Sequence, residues 1–386
     1  VIVILPGVTV TKQPSLPLTL VVGGFCTFAL IGALQAMYGP TLFSFQSRFG
    51  IDNSSANLIF SAFFAGVVTA ILALGALERL VSRAASLTAA LALLGLGSLG
   101  VGFAPAWWMV LVSAFGIGLG YGLSVLNYNT VFATGFGMRS TAFVNLLNAA
   151  WSVGAILGPV AVGLSTGNPR LPFLLGGLIA LGLAPLGLSA RNIVPDSVPL
   201  VVRAPSGVTP PWTLMLTFAS VMWLYTGTEV GIGAHEPRHL KAVFGYSVEQ
   251  ASFLSSLFWL GQALGRVLVA PVSLRVHEDV IVVACLTLAA CAVALAHVGL
   301  IAPFSYALCG VFLGPIFPSV LVWFNRFARG SIRATSILLA SANVGGMVFP
   351  PLIAALTTNA ALIPTVVLAL TAANAVLTFA LKRRFS

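Results

Sequence analysis

Long apolar runs recur from one end of this chain to the other. Twelve can be marked, at about 17–38, 54–76, 84–103, 107–131, 138–163, 171–189, 212–233, 248–270, 279–296, 301–325, 332–357 and 361–381. Most approach the roughly 20 residues that a helix needs to cross a hydrocarbon layer about 30 Å thick. Backbone in lipid must satisfy its own polar groups, so such runs are expected to be helices. Composition agrees, with 59% hydrophobic and only 7% charged residues, against about 25% charged in soluble domains. Mean hydropathy is +1.05. The expected class is an all-α polytopic membrane protein with twelve transmembrane helices. The first apolar run leads straight into the rest of the pattern, so no cleavable signal peptide is expected.

The links between spans are mostly too short for another fold. The exception is "ARNIVPDSVPLVVRAPSGVTPP", polar and proline-rich. It reads as a linker at 191–211 between six-helix bundles at 1–190 and 212–386. With the N-terminus inside, 14 of the 18 Lys and Arg residues fall on the cytoplasmic side, Arg266 among them. Arg48, Arg170, Arg238 and Lys241 fall outside. That bias supports an even span number with both termini cytoplasmic. The net charge of +10 is spread between helices rather than gathered in a stripe, which argues against nucleic acid as a partner. Cys26, Cys285, Cys291 and Cys309 lie in spans without CxxC pairing and are expected to be buried thiols. The four histidines form no metal-binding pattern, so neither a metal nor a cofactor is expected.

The halves repeat one another. Phe49-Gly50, Ala56 and "SAFFAG" ending at Gly66 return as Phe244-Gly245, Ala251 and "SLFWLG" ending at Gly261, an offset of 195. "GIGLG" at 116–120 matches "GVFLG" at 310–314, and Arg139-Ser-Thr matches Arg333-Ala-Thr, both at 194. "VGAILGP" ending at Pro159 matches "VGGMVFP" ending at Pro350 at 191. Ordered matches across six spans point to duplication. Paired helical halves place a cavity at their interface, and rocking one against the other gives alternating access. A small-molecule solute and membrane lipids are then the expected partners of a chain acting as a monomer.

Twelve spans in two related halves resemble the major facilitator superfamily. The loop "GALERLVSR", with Gly75, Glu78, Arg79 and Arg83, resembles that family's glycine–acid–arginine signature. The resemblance implies a conformational latch there; a solvated turn is the alternative. The stretch from Tyr225 to Arg266 is similar to the branch of fucose and glucose symporters, at Tyr225, Gly227, Glu229, Val230, Phe258, Trp259, Gly261, Gly265 and Arg266. That implies a bacterial inner-membrane sugar transporter driven by protons or sodium. One departure matters. Where that pattern has Glu four residues before Asn127, this chain has Leu123, and span one offers Gln35 but no acid.

Glu229 is the acid that stands most clearly within a span. A charge near the bilayer centre costs at least a few kcal/mol, so such a residue is expected to face protein or water. With no evident basic partner it can exchange a proton or bind a cation, accept hydrogen bonds from sugar hydroxyls, or brace helices. Tyr225, one turn earlier, can bond it. His235, Glu236, Arg238, His239 and Lys241 are expected in a wetted loop; a gating role for His235 or Glu236 is the alternative. The amides of Gln35, Asn127, Asn148, Gln262 and Asn343 both donate and accept, which suits a polyhydroxylated solute. Interhelical contacts are their ordinary alternative. Trp259, flanked by Ser255 and Gln262, is the preferred stacking residue, with space-filling as the alternative. Trp107, Trp108 and Trp212 read as interface anchors.

Glycines and prolines supply candidates for conformational change. Gly154, Gly158 and Pro159 can pack and kink span five, and they also resemble a signature of drug/proton antiporters. Gly314, Pro315 and Pro318 can bend span ten. Arg266 is grouped with these gating residues by resemblance. No glycine run has the setting of a nucleotide site. The leading expectation is a monosaccharide transporter, not an enzyme, with possible proton or sodium coupling. An exporter of amphipathic compounds and an uncoupled sugar facilitator are the rivals.

Overall fold

A computed structural model of the chain describes residues 16–77, 81–192, 211–328 and 332–385. Among these residues there are α-helices and short 3-10 turns but no strand. The first set is α1 (Leu18–Ala36), α2 (Tyr38–Phe49), α3 (Asn53–Leu77), α4 (Arg83–Phe103), α5 (Trp107–Gly135), α6 (Ser140–Leu164) and α7 (Arg170–Leu183). After the linker come α8 (Trp212–Phe244), α9 (Val248–Val272), α10 (Glu278–Ala294), α11 (Ala302–Leu313), α12 (Ile316–Ala328), α13 (Ile332–Leu356) and α14 (Ile363–Phe385). Eleven spans among the described residues are long and apolar enough to cross a membrane. The twelfth, α8, is not among them and carries Glu229, His235, Glu236, Arg238, His239 and Lys241. Exposed Leu, Ile and Val side chains, such as Val267 and Val376, cover the outer surface, a surface matched to lipid rather than water.

Two spans extend well beyond their expected ends. Span one runs to Phe49 as α1 and α2, and span seven runs to Phe244. Both extensions are polar by sequence but packed inside protein, where hydropathy no longer marks the boundary. The break at Met37 has a local cause. Pro40 has no N–H with which to bond the Ala36 carbonyl one turn back. The expected linker at 191–211 lies almost wholly outside the described residues, as do Glu78 and Arg79.

Among the described residues, one buried apolar core runs from Leu20 to Ala190 and takes in Val230 and Ala234 from beyond the linker, with Met347 packed against it. A second runs from Leu214 to Leu381 and takes in Ala36 and Ala155 from the first half, with Trp151 and Ile156 packed against it. The sets share the same close contacts. A Cβ on Gly66 would strike the Phe115 carbonyl, and one on Gly261 the Ala307 carbonyl. Gly118 meets the carbonyl of Phe63 as Gly310 meets that of Phe258. Gly122 packs on Val67 as Gly314 packs on Gln262. Gly154 on Ala29 likewise parallels Gly345 on Trp223. These pairs correct the register read from "GIGLG". Gly310 and Gly314 correspond to Gly118 and Gly122, while Gly116 meets nothing within 4 Å and Gly120 faces Ala90. A residue's role in close packing is fixed by the backbone it touches, and a short glycine motif matches equally well two residues away.

The halves are tied from mid-bundle to the end that carries the loops at 50–52, 165–169 and 245–247. Gly39 of α2 abuts the Gly233 carbonyl of α8, Lys241 lies 4.4 Å from the centre of the Phe43 ring, and Gly163 faces Phe253. Three other cations fasten the same end within each half. Arg48 donates to the Ala104 carbonyl, Arg170 lies over Phe103, and Arg238 donates to the Thr357 and Thr358 carbonyls. This is the sealed end; the opposite one is the linker end. Trp108 and Trp212 stand exposed at the starts of α5 and α8, whereas Trp107 turns inward against Phe45 and Phe49. Only Cys309 is buried; Cys26 and Cys291 lie on the apolar outer surface and Cys285 is partly covered.

Candidate functional site

Prolines and the carbonyls they release build the interface between the halves. Pro318 cannot bond the Gly314 carbonyl four residues back, and that oxygen accepts from Arg266 Nε at 3.4 Å. Pro351 likewise frees the Met347 carbonyl, which accepts from Ser61 Oγ of the other half at 2.8 Å. Pro237 frees Gly233, whose oxygen faces Gly39. A helix interior normally hides its carbonyls; here three are offered where the halves meet or beside the site.

Beside this seam lies a chain of polar groups. Tyr225 Oη donates to Glu229 Oε1 at 2.9 Å, and Gln262 Nε2 donates to the same oxygen at 2.7 Å. Gln262 Oε1 in turn accepts from Arg266 Nη2 at 3.3 Å, and Arg266 Nη1 donates to Ser152 Oγ across the interface at 3.0 Å. Arg266 also lies over the Trp151 ring at 5.6 Å, and Trp151 meets Trp259 edge-on at 5.8 Å. Tyr121 adjoins Trp151 and stands within electrostatic range of Glu229 and Arg266. The Trp151 indole nitrogen is buried beside the Tyr121 hydroxyl. A void of about 10 Å³ beside these groups is lined by Gln35, Ala36, Gly39, Phe60, Val230, Gly233 and Trp259. That is room for about one water and no solute.

The expected site residues divide. Glu229, Tyr225, Gln262, Trp259 and Gln35 come together. Asn127 does not join them. It donates to Ser86 Oγ at 2.9 Å and to the Leu123 carbonyl, tying α5 to α4. Asn343 bonds the Leu339 carbonyl of its own helix. Asn148 is exposed, bonds the Val144 carbonyl, and sits one turn from Ser152 toward the linker end. Among the gating candidates, Gly154 and Gly158 pack on the Ala29 and Ala33 carbonyls inside the first half, and Pro159 is accommodated within α6. Gly75 lies in the last turn of α3, and Arg83 is largely buried at the start of α4. Gly314 and Pro315 separate α11 from α12, and Pro318 stands in the first turn of α12.

Three expectations change. Arg266, counted among cytoplasmic loop cations, is inside α9 and bonded across the interface, which leaves 13 cations against 4 in the loop count. Glu229 therefore has a basic neighbour, reached through Gln262. The wetted loop at 235–241 is instead the last third of α8, with His235, Glu236 and His239 buried. Trp151, Ser152 and Tyr121 went unmarked as site residues, because no spacing within one span shows which faces of α5, α6 and α9 converge. Among the described residues no group of three or more His, Cys, Asp or Glu could hold a metal.

Residues 24–329 match the Major Facilitator Superfamily. The chain belongs to that superfamily. It is accordingly a multi-pass membrane transporter of a small solute rather than an enzyme. No curated protein matches the sequence. Among solved structures, a bacterial homologue of the human lysosomal transporter Spinster, inward-facing and unoccupied, is 13% identical with a TM-score of 0.75, over 95% of this chain and 97% of that one. The nucleoside transporter NupG is 16% identical with a TM-score of 0.72, over 96% and 98%. A variant of the peptide transporter POT in complex with alafosfalin is 16% identical with a TM-score of 0.76, over 95% and 93%. These likenesses describe the facilitator fold and do not single out the fucose and glucose symporters.

Proposed function

We propose that this facilitator carries a small, neutral, polyhydroxylated solute, a monosaccharide, by alternating access between halves at 1–190 and 212–386 joined by the linker at 191–211. Its linker end and both termini face the cytoplasm of a bacterium, across the inner membrane. The carrying observation is Glu229, held on Oε1 by Tyr225 and Gln262 in reach of Arg266. Neither bond uses Oε2, so an ionised carboxylate keeps an acceptor for sugar hydroxyls. The Trp151 N–H and the Tyr121 hydroxyl beside it supply polar groups, the Trp151–Trp259 pair an aromatic wall, and Gln35 an amide. Asn148 lines the route from the linker end, Asn127 and Asn343 brace their helices, and residues 75–83 form the latch. With Arg266 near, Glu229 acts as a fixed acceptor, which supports a sugar facilitator as the second reading. The exporter reading loses support, because Gly154 and Gly158 serve packing against α1.

Thermal stability screened against monosaccharides, nucleosides, dipeptides and amphipathic cations, at several pH values with and without sodium, tests this. Stabilisation by sugars alone is expected, and Glu229→Gln should abolish it. Stabilisation by another class, or an unchanged sugar effect in Glu229→Gln, would end the proposal.

A further inference from the structure

Glu236 stands seven residues beyond Glu229, two turns along the same face of α8. Its side chain is 0% exposed and neither carboxyl oxygen has a hydrogen-bond partner. His235 Nδ1 beside it is likewise unpartnered, since His235 reaches the Pro350 carbonyl through Nε2 at 2.9 Å. From α11, buried Tyr306 and Cys309 lie within electrostatic range, and the Tyr306 hydroxyl is engaged with His239 Nδ1 at 3.0 Å.

Among the described residues no cation is placed to balance a carboxylate there, and Lys241 lies over the Phe43 ring. Arg238 leans away to the Thr357 and Thr358 carbonyls. Arg333 of α13, Lys382, Arg383 and Arg384 of α14, and Arg326 of α12 belong to the linker end. From α9, Arg266 is engaged at Gln262 and Glu249 is exposed at the helix start. From α2, Tyr38 packs among Phe60, Phe63 and Phe173, and Arg48 is bonded to Ala104. His297, facing His239, is bonded to Thr365.

An ionised carboxylate stripped of water and given no donor is strongly disfavoured, whereas the neutral acid loses far less on burial. We propose that Glu236 is a proton-binding site that must be loaded for the sealed end to close. On opening, the O–H bond breaks, the proton passes to water on that side, and water solvates the carboxylate. Closing takes one proton back. The sign follows. Acid on that side favours the sealed form, and above the titration range of the solvated carboxyl the sealed-to-open ratio falls about tenfold per pH unit. This rests on the transporter reading but not on the identity of the solute.

The test needs no solute. Spin labels at Ser47→Cys and Ala242→Cys, both exposed at the sealed end on opposite halves, report the gap. Cys26, Cys285 and Cys291 are replaced by serine, and buried Cys309 is retained. Pulsed electron resonance over a pH series in lipid nanodiscs should give a short distance in acid and a long one that grows as pH rises. Glu236→Gln, a mimic of the neutral acid, should stay short throughout, while Glu249→Gln, at the exposed carboxyl that starts α9, should respond like the parent. A parent without pH response, a response that survives Glu236→Gln, or one driven by sodium instead of pH would overturn the proposal. Should Glu236→Gln fail to fold, infrared spectra of Glu229→Gln in mild acid decide. A protonated-carboxyl carbonyl band is expected, and its absence overturns the assignment. A failed sugar screen leaves all these readouts unaffected.

Discussion

Gln262 both joins Glu229 and Arg266 and keeps them apart, donating to the acid through Nε2 at 2.7 Å and accepting from the base through Oε1 at 3.3 Å. Its amide orientation is thereby fixed, since the reverse would set donor against donor and acceptor against acceptor. Gln262→Leu removes both bonds while keeping most of the volume. Hydrogen bonds to charged groups contribute about 1.5–3 kcal/mol each. Solute affinity is expected to fall roughly 10- to 100-fold with the melting temperature lowered. Calorimetry on the solute found by the stability screen measures the first. An unchanged affinity would show that the bridge does not shape the site.

Gly39 touches the opposite half at the Gly233 carbonyl, while Gly118 touches its own half at the Phe63 carbonyl. The same substitution should therefore have different consequences. Gly39→Val should push the halves apart at the sealed end, so that label distances there lengthen while the fold survives. Gly118→Val should destabilise the first bundle, by about 1–3 kcal/mol for overpacking. Equal loss of stability in both variants, with no change in the Gly39→Val distances, would count against a rigid-body seam.

The all-α membrane-spanning class was readable from the apolar runs, because lipid imposes one rule on every residue of a span. Glu229, Tyr225 and Gln262 stood out in the sequence as polar groups in oil, and hydrogen bonds join them in the structure. Glu236 was not. It follows His235 and precedes Pro237 and Arg238, a composition that reads as a loop, and only tertiary cover turns it into the end of α8. Arg266 was misplaced for a related reason. A cation six residues from a helix end fits a loop count, but the interfacial partner Ser152 lies 114 positions away in sequence. Asn127 lies apart from that cluster: its amide serves Ser86 in a neighbouring helix, and sequence alone does not tell such service from a binding role.

Asp52 caps α3 at the sealed end by accepting from the Ser55 N–H at 3.0 Å. The Ser55 hydroxyl and N–H hold its exposed carboxyl below the usual carboxylate range. A lowered value means that the cap acts above that range and is lost only as pH falls through it. Asp52→Asn should accordingly leave the pH response of the sealed end unchanged near neutrality. A response that disappears in Asp52→Asn would move the proton-binding role from Glu236 to the loop.

Two ion pairs, Arg326 with Glu278 and Lys382 with Asp279, join helices of the second half at the linker end. Each has a partly exposed cation, and such pairs contribute about 0–1 kcal/mol. Lys382→Ala should lower the melting temperature slightly or not at all, and less so in high salt. A large loss would show that the pair holds the bundle more tightly than a partly exposed ion pair should.

Arg266 donates in three directions at once, to the Gly314 carbonyl, to Ser152 of the other half and to Gln262, and it lies over the Trp151 ring. A planar guanidinium can do this; a lysine ammonium keeps the charge but cannot span the same fork. Arg266→Lys should therefore preserve the electrostatic balance with Glu229 and lose the cross-half tie. Expected results are a solute affinity closer to that of the parent than in Arg266→Ala, and labels across α6 and α9 that sample a wider range of distances. If Arg266→Lys instead weakens the solute as much as Arg266→Ala while the distances stay narrow, the guanidinium serves the solute directly. The tie to Ser152 would then be incidental to how the halves move.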